Sequence, residues 1–489
     1  MKRQFSVVSL FALVSFALLL VFQTGCKPAP SDEVPITTKS KDARKLFVEG
    51  RNMMENSHYK KAYDLFVQAI EKDSDFALAY LFKAEASSEA KDYQESVAKA
   101  VALAPNVSAG EQKIIAAHQA SVQENSEVKA NEIYQELAAG FPKDPRVQVS
   151  LGSSYGNMNE YDKEIAAYEK AISIDKTFAP GYLNLGYAYR WRNQYDKAEA
   201  NFQEYLRLNP QEANGHDNLG DLYQKMGRFE DALKHYGEAV QMDPTLVFSQ
   251  FKIGTTLVFM GKYEEGRQAM QKALDIEPRP PDKVYHQIGI ARSYIYAGDY
   301  ESALQAMDKA IQMARELRLP DPVPFSHIVK GAIYVELKDY DKADASISDG
   351  LNFLEASDLM SSIKQGIKAE ATFLQALVAA GRQDFNTALA KAEEYKTQIA
   401  AYQNPADQKY PGWLLGYIAL AQGDANKAIE YFSQGEMDFS YMMYYFAEAK
   451  EKAGDAAGAA ELYKKVANWN MDDAFYGFVR QKALAKLPT

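Results

Sequence analysis

Residues 182–202 read YLNLGYAYRWRNQYDKAEANF, and the spacing of large and small side chains in this stretch decides the fold. Gly186 recurs as Gly152, Gly220 and Gly254, 34 residues apart each time. Three positions later the same frame holds Tyr155, Tyr189, Tyr223 and Leu257, and six after those Tyr161, Tyr195, Phe229 and Tyr263. Ala198 and Ala232 follow, then Tyr168, Phe202, Tyr236 and Met270, then Ala171, Ala239 and Ala273. Small residues at fixed positions let two helices approach closely, while large ones at helical spacing fill the groove between them. Pro210, Pro244 and Pro278 close three of the units, because proline lacks the N–H and obstructs the preceding turn.

The frame extends in both directions. Units start in phase at Ala43, Ala77, Glu111, Pro145, Ala179, Ala213 and Val247. The second of them is degenerate, with Ser96 and Ala100 at key positions. Beyond Glu277-Pro278-Arg279-Pro280-Pro281 the period loosens, and units anchored on Ala303, Ala343, Ala388, Ala428 and Ala459 start near Val284, Pro324, Ala369, Lys409 and Ser440. The wider spacing predicts longer helices or loops. Met471 to Leu487 carries Phe475, Phe478, Val479 and Leu484 at helical spacing and reads as a capping helix.

The pattern resembles the tetratricopeptide repeat, a helix-turn-helix unit marked by a large residue, Leu-Gly, Tyr, then Ala, an aromatic, Ala and Pro. Tyr182, Leu185-Gly186, Tyr189, Tyr195, Ala198, Phe202 and Pro210 match it, and Tyr205 departs where a small residue is expected. The resemblance implies an all-α solenoid of helical hairpins, about 11 to 12 repeats with a C-terminal cap. The order from Ser108 to Tyr223 also looks like tetratricopeptide modules of bacterial signalling proteins, but no kinase signature precedes it.

Hydrophobic residues make up 47% of the 489 and charged ones 25%, which suits a folded body too long for one core. A formal charge of −11 repels phosphate backbones and disfavours nucleic acid as a partner. The single cysteine, Cys26, excludes an internal disulfide, a thiolate zinc cluster and a CxxC redox pair.

Lys2 and Arg3 precede an apolar run from Phe5 to Phe22, and Thr24-Gly25-Cys26 follows. This is the layout of a secretory signal, and it resembles a bacterial lipoprotein signal in which the cysteine is lipidated and becomes the new N-terminus. Gln23 stands where that family usually has leucine. The run is also about as long as the shortest membrane span, so an uncleaved anchor is the alternative reading. Lys27, where aspartate would signal inner-membrane retention, favours the outer membrane. The expected organisation is a signal over 1–25, a lipid-anchored flexible tether over 26–42, regular repeats over 43–280, longer repeats over 281–470 and a cap over 471–489.

No site for chemistry emerges. His58, His118, His216, His235, His286 and His327 form no HExxH, HxH or i, i+4 pair, so a metal would need residues from distant repeats. No phosphate-binding glycine loop is present, Glu264-Glu265 and Glu393-Glu394 read as solvated stripes, and Cys26 has no ordered histidine partner. No cofactor, metal or enzymatic activity is expected. The resemblance instead implies that the first helix of each hairpin lines a concave groove for a protein or peptide. Its ligand-facing positions fall on Asn184, Tyr187, Arg190 and Trp191, then Asn218, Asp221 and Lys225, then Phe251 and Phe259, then Arg292 and Tyr296. Asn184 and Asn218 would form a short asparagine ladder, Trp191 is the sharpest candidate anchor, Trp413 also maps to a concave position, and Trp469 packs the cap. The expected function is that of a non-enzymatic binding scaffold tethered to the cell envelope. The alternatives are a regulatory module relaying a signal to a membrane kinase or transcription factor, and an enzyme with a site hidden between repeats.

Overall fold

The computed structural model describes residues 32–487 apart from 321 and 436. Cys26, the signal and the first residues of the tether lie outside the described residues. From Lys41–Glu55 to Ala474–Leu484 the chain forms 25 α-helices and two short 3-10 turns, with no strand among the described residues. Successive helices pair as twelve antiparallel hairpins, and the twenty-fifth helix, Ala474–Leu484, caps the last. None of the described helices is long and apolar enough to cross a membrane.

Seven of the hairpins close where a glycine of the first helix meets a large side chain of the second. A Cβ on Gly186 would lie 2.6 Å from Phe202 Cε1, one on Gly220 2.5 Å from Tyr236 Cε1, and one on Gly254 2.6 Å from Met270 Cγ. Gly50 with Phe66, Gly152 with Tyr168, Gly331 with Ile347 and Gly416 with Phe432 repeat the contact, always 16 positions apart. The looser second half therefore keeps the same closure in two of its hairpins. Its extra residues lengthen helices, as in Pro280–Ala297 and Ser361–Gly381, and form the turn Pro405–Lys409.

The turn inside each hairpin is equally uniform. Asn159, Asn193, Gly227, Gly261, Gly298, Lys338, Gln383, Gly423 and Gly454 all take positive φ just before the second helix. The next amide bonds back over the turn, as Glu160 N–H does to the Tyr155 carbonyl at 2.9 Å, so the last carbonyls of the first helix are satisfied. In the second half an aspartate then caps the second helix: Asp299, Asp339, Asp384, Asp424 and Asp455 each accept the N–H three residues on.

The segment expected to be a flexible tether is bound from residue 34 onward, which corrects that expectation. Val34 N–H donates to Asp144 Oδ2 at 2.9 Å, Thr37 N–H to Glu111 Oε1 at 2.7 Å and Lys39 N–H to Asp73 Oδ2 at 2.8 Å. Three carboxylates from different hairpins thus satisfy an extended backbone that has little apolar surface to bury.

The array also coils back on itself. His58 Nε2 lies 2.7 Å from Glu212 Oε2, Tyr205 donates to Asn56 Oδ1 at 2.7 Å, and Asn125 donates to Gln365 Oε1 at 2.9 Å. Asn404 reaches the Asn157 carbonyl at 3.3 Å. One apolar core runs from Val247 to Ala483, with two smaller ones in the first half.

Replacing Gly186 by Val is expected to lower stability by about 1–3 kcal/mol, because the Phe202 ring has to leave its place. Gly237→Ala, where a Cβ meets nothing within 4 Å, is expected to raise stability by about 0.5–1 kcal/mol. Urea unfolding followed by circular dichroism separates the two.

Candidate functional site

The coil encloses a cavity of about 1350 Å³ on its inner side. One wall comes from the hairpins that hold Tyr161 and Trp191, the other from Phe373, Tyr395, Phe439 and Phe446. Trp191 ends the helix Ala179–Trp191 with 56% of its surface exposed, and the Arg190 guanidinium lies 5.6 Å from its ring centre and 4.8 Å from that of Tyr187. A planar cation held against two aromatic faces keeps that end of the helix in one shape.

Several ionisable groups line this space, Glu370 and Lys225 among them. Glu370 is reached by solvent through the cavity, yet protein surrounds it, and that burial pushes its carboxyl up to about 7. Lys225 donates to the Trp469 carbonyl at 2.6 Å and lies 4.2 Å from the centre of that indole. Burial and then the neighbouring Arg190 bring its ammonium down to about 8.

The structure divides the eleven expected groove residues into four groups. Trp191 alone stands well exposed. Tyr187, Arg190, Asn218 and Asp221 join a buried polar network: Tyr187 donates to Asn218 Oδ1 at 2.6 Å, and Tyr236 donates to Asp221 Oδ1 at 2.8 Å. Lys252 sits 2.6 Å from Asp217 Oδ2 and 2.8 Å from Asp221 Oδ1. Burial works against its charge, but the two carboxylates outweigh it and hold the ammonium protonated. Asn184 turns onto its own helix, donating to the Pro180 carbonyl at 2.8 Å, so the asparagine ladder is not formed.

The remaining five are covered by the chain itself, which corrects the expectation of an open groove. Lys225 holds Trp469, and Arg292 pairs with Asp472 at 2.6 Å. Tyr296 donates to the Asp473 carbonyl at 2.9 Å and accepts the Asp473 N–H at 3.1 Å. Phe259 packs on Tyr476, and its carbonyl accepts from Arg480 at 2.8 Å. Phe251 is buried against His286, the rings 4.6 Å apart and 9° from parallel. The segment 469–480 therefore lies along the inner face of the helices Asn214–Lys225, Val247–Phe259 and Pro280–Ala297. Trp413, expected on the concave side, is buried.

Sequence reading missed the second-half wall and Glu370, although an acid directly before the mostly apolar run ATFLQALVAA of its helix was a visible signal. It also expected any metal ligands to come from distant repeats. His216, His235 and Glu238 converge within one hairpin.

These features define an all-helical solenoid of paired antiparallel helices with an enclosed inner face. Tetratricopeptide-repeat family models match residues 145–178, 178–245 and 251–316, so this part of the array is similar to that repeat. No curated protein matches the chain significantly. Among solved structures it is similar to YrrB, described as a TPR protein with an unusual peptide-binding site, at 22% identity over 37% of this chain and 93% of that one, with a TM-score of 0.27. It is also similar to MamA, at 22% identity over 35% of this chain and 94% of that one, TM-score 0.29. A tetratricopeptide repeat protein from Parabacteroides merdae aligns at 16% identity over 56% of this chain and 94% of that one, TM-score 0.36.

Lys252→Met leaves Asp217 and Asp221 facing each other without their cation and is expected to cost about 3–5 kcal/mol in urea unfolding, a loss that adding Asp217→Asn partly restores. His286 gives a pH dependence. Neither of its ring nitrogens has a hydrogen-bond partner, and burial, then Arg279, brings it down to about 4. Between an ordinary value of about 6.5 and that value the unfolded chain takes up a proton that the folded one does not. Stability is therefore expected to fall on acidification through this window, by up to about 3 kcal/mol, and His286→Phe should flatten the curve of unfolding free energy against pH.

Proposed function

We propose that this protein is a non-enzymatic scaffold that binds a protein or peptide segment on its inner face while lipid on Cys26 holds it at the bacterial cell envelope. The observation that carries the binding reading is the seating of segment 469–480. The carbonyls of Trp469 and Asp473 accept from Lys225 and Tyr296, two residues at ligand-facing positions, and Asp472 pairs with Arg292. The inner face thus has the donors that an extended chain needs, together with an arginine for an acidic side chain. Further along the same face the cavity offers Trp191, aromatic walls and the carboxyl of Glu370. Aromatic and arginine side chains of this kind anchor interfaces when a partner removes them from water.

The envelope reading is supported by the order Lys2, Arg3, the apolar run to Phe22, then Thr24-Gly25-Cys26. A lipid on that cysteine faces the periplasm or the cell surface, and Lys27 favours the outer membrane.

In-cell crosslinking from a photoreactive group at position 191, read by mass spectrometry, is expected to yield one dominant envelope protein. In a separate binding measurement on the chain without the probe, Trp191→Ala is expected to weaken affinity for that protein by tenfold or more, about 1.4 kcal/mol. A probe at 191 that captures nothing above background removes the binding reading. Cys26→Ser is expected to release the protein from membranes with its circular dichroism unchanged. A variant that stays membrane-bound would establish the uncleaved helix instead.

A further inference from the structure

The sixth hairpin, Asn214–Lys225 with Phe229–Met242, brings three metal-binding side chains together. His216 lies in the first turn of one helix, and His235 and Glu238 stand three residues apart on the facing side of the other. His216 Nδ1 is 2.9 Å from Glu238 Oε2 and 3.2 Å from His235 Nδ1, and His235 Nδ1 is 3.3 Å from the same Oε2. We propose that these three atoms form a site for a divalent first-row transition ion of the zinc class.

The size of the triangle carries the argument. A tetrahedral zinc ion with bonds of about 2.0–2.1 Å sets its ligand atoms about 3.3 Å apart. The three observed separations, 2.9, 3.2 and 3.3 Å, already match the edges of such a face. A point about 2 Å from all three atoms lies roughly 1 Å out of their plane, close to where the ion of a tetrahedral site would sit.

Without an ion the two Nδ1–H groups can both donate to Oε2, whereas one cation takes the lone pairs of both imidazoles and of the carboxylate together. Lys234 lies 3.9 Å from Oε1, on the other carboxylate oxygen, so Oε2 is left to the ion. The three side chains keep 21%, 17% and 36% of their surface, enough for an ion to enter and for water to complete its shell. Two imidazoles and one carboxylate select zinc, nickel, cobalt or copper over calcium and magnesium, which prefer oxygen alone.

Such an ion would fasten the two helices of the hairpin that also carries Asn218, Asp221 and Lys225. The site stands independently of the proposed binding function. Its test uses the full chain, purified without a histidine tag and stripped of metal, titrated with zinc chloride by calorimetry and with cobalt chloride by visible absorption. One equivalent of zinc, a cobalt absorption band and a rise in melting temperature that chelator reverses are expected. His216→Ala and Glu238→Gln should each weaken zinc binding by more than about 100-fold with circular dichroism unchanged. If His216→Ala does not fold, Glu238→Gln, which keeps the shape of the side chain, decides alone. A wild-type chain that takes up no zinc, or variants that bind it as tightly, overturns the proposal.

Discussion

Seven of the twelve hairpins rest on the close approach of a glycine in the first helix to a large side chain of the second. At Gly186 and Phe202, or Gly220 and Tyr236, the ring occupies the space of the missing Cβ. That contact brings the two backbones near enough for Ala198 and Ala232 to be fully buried. It also fixes the register of each pair, since the partners are always 16 residues apart, including Gly331 with Ile347 and Gly416 with Phe432 where the overall period has drifted. A solenoid whose units are closed this way tolerates helices of different length without losing its hairpins.

This explains what could be read from the residues and what could not. The hairpins, their number and the cap were legible because each is set by contacts within about one repeat, and Gly, Tyr and Ala at fixed spacing state them directly. The closure of the coil was not, because it depends on the sum of small rotations between neighbours, which no local pattern spells out. The sequence assigns Trp469 to the cap, while its seat against Lys225, a residue 244 positions earlier, had no signal. The groove residues show the same divide. Their placement on first helices follows from the repeat, but whether solvent or the chain's own tail covers them is a long-range matter.

The inner face of the central hairpins carries a buried charge network. Lys252 between Asp217 and Asp221, with Tyr187, Tyr236 and Asn218 completing the hydrogen bonds, places three ionised groups where desolvation opposes all of them. Such a network adds little net stability compared with apolar packing, but every member must be present. It explains why Asn218 and Asp221, at positions that could face a ligand, are committed to holding neighbouring helices together.

The contacts that close the coil are mixed in kind. Asn125 with Gln365 and Asn404 with Asn157 are exposed polar pairs, each adding about 1 kcal/mol or less, whereas Tyr205, bonded to Asn56, and Arg480, bonded to the Phe259 carbonyl, are buried as the hairpin contacts are. Where only exposed pairs join successive turns the molecule is more compliant than within a repeat, in the manner of a coil spring. Small rotations shared among many hairpins would part the turns without unfolding any one of them, so that the width of the entrance to the inner space is set by elasticity rather than by a dedicated hinge.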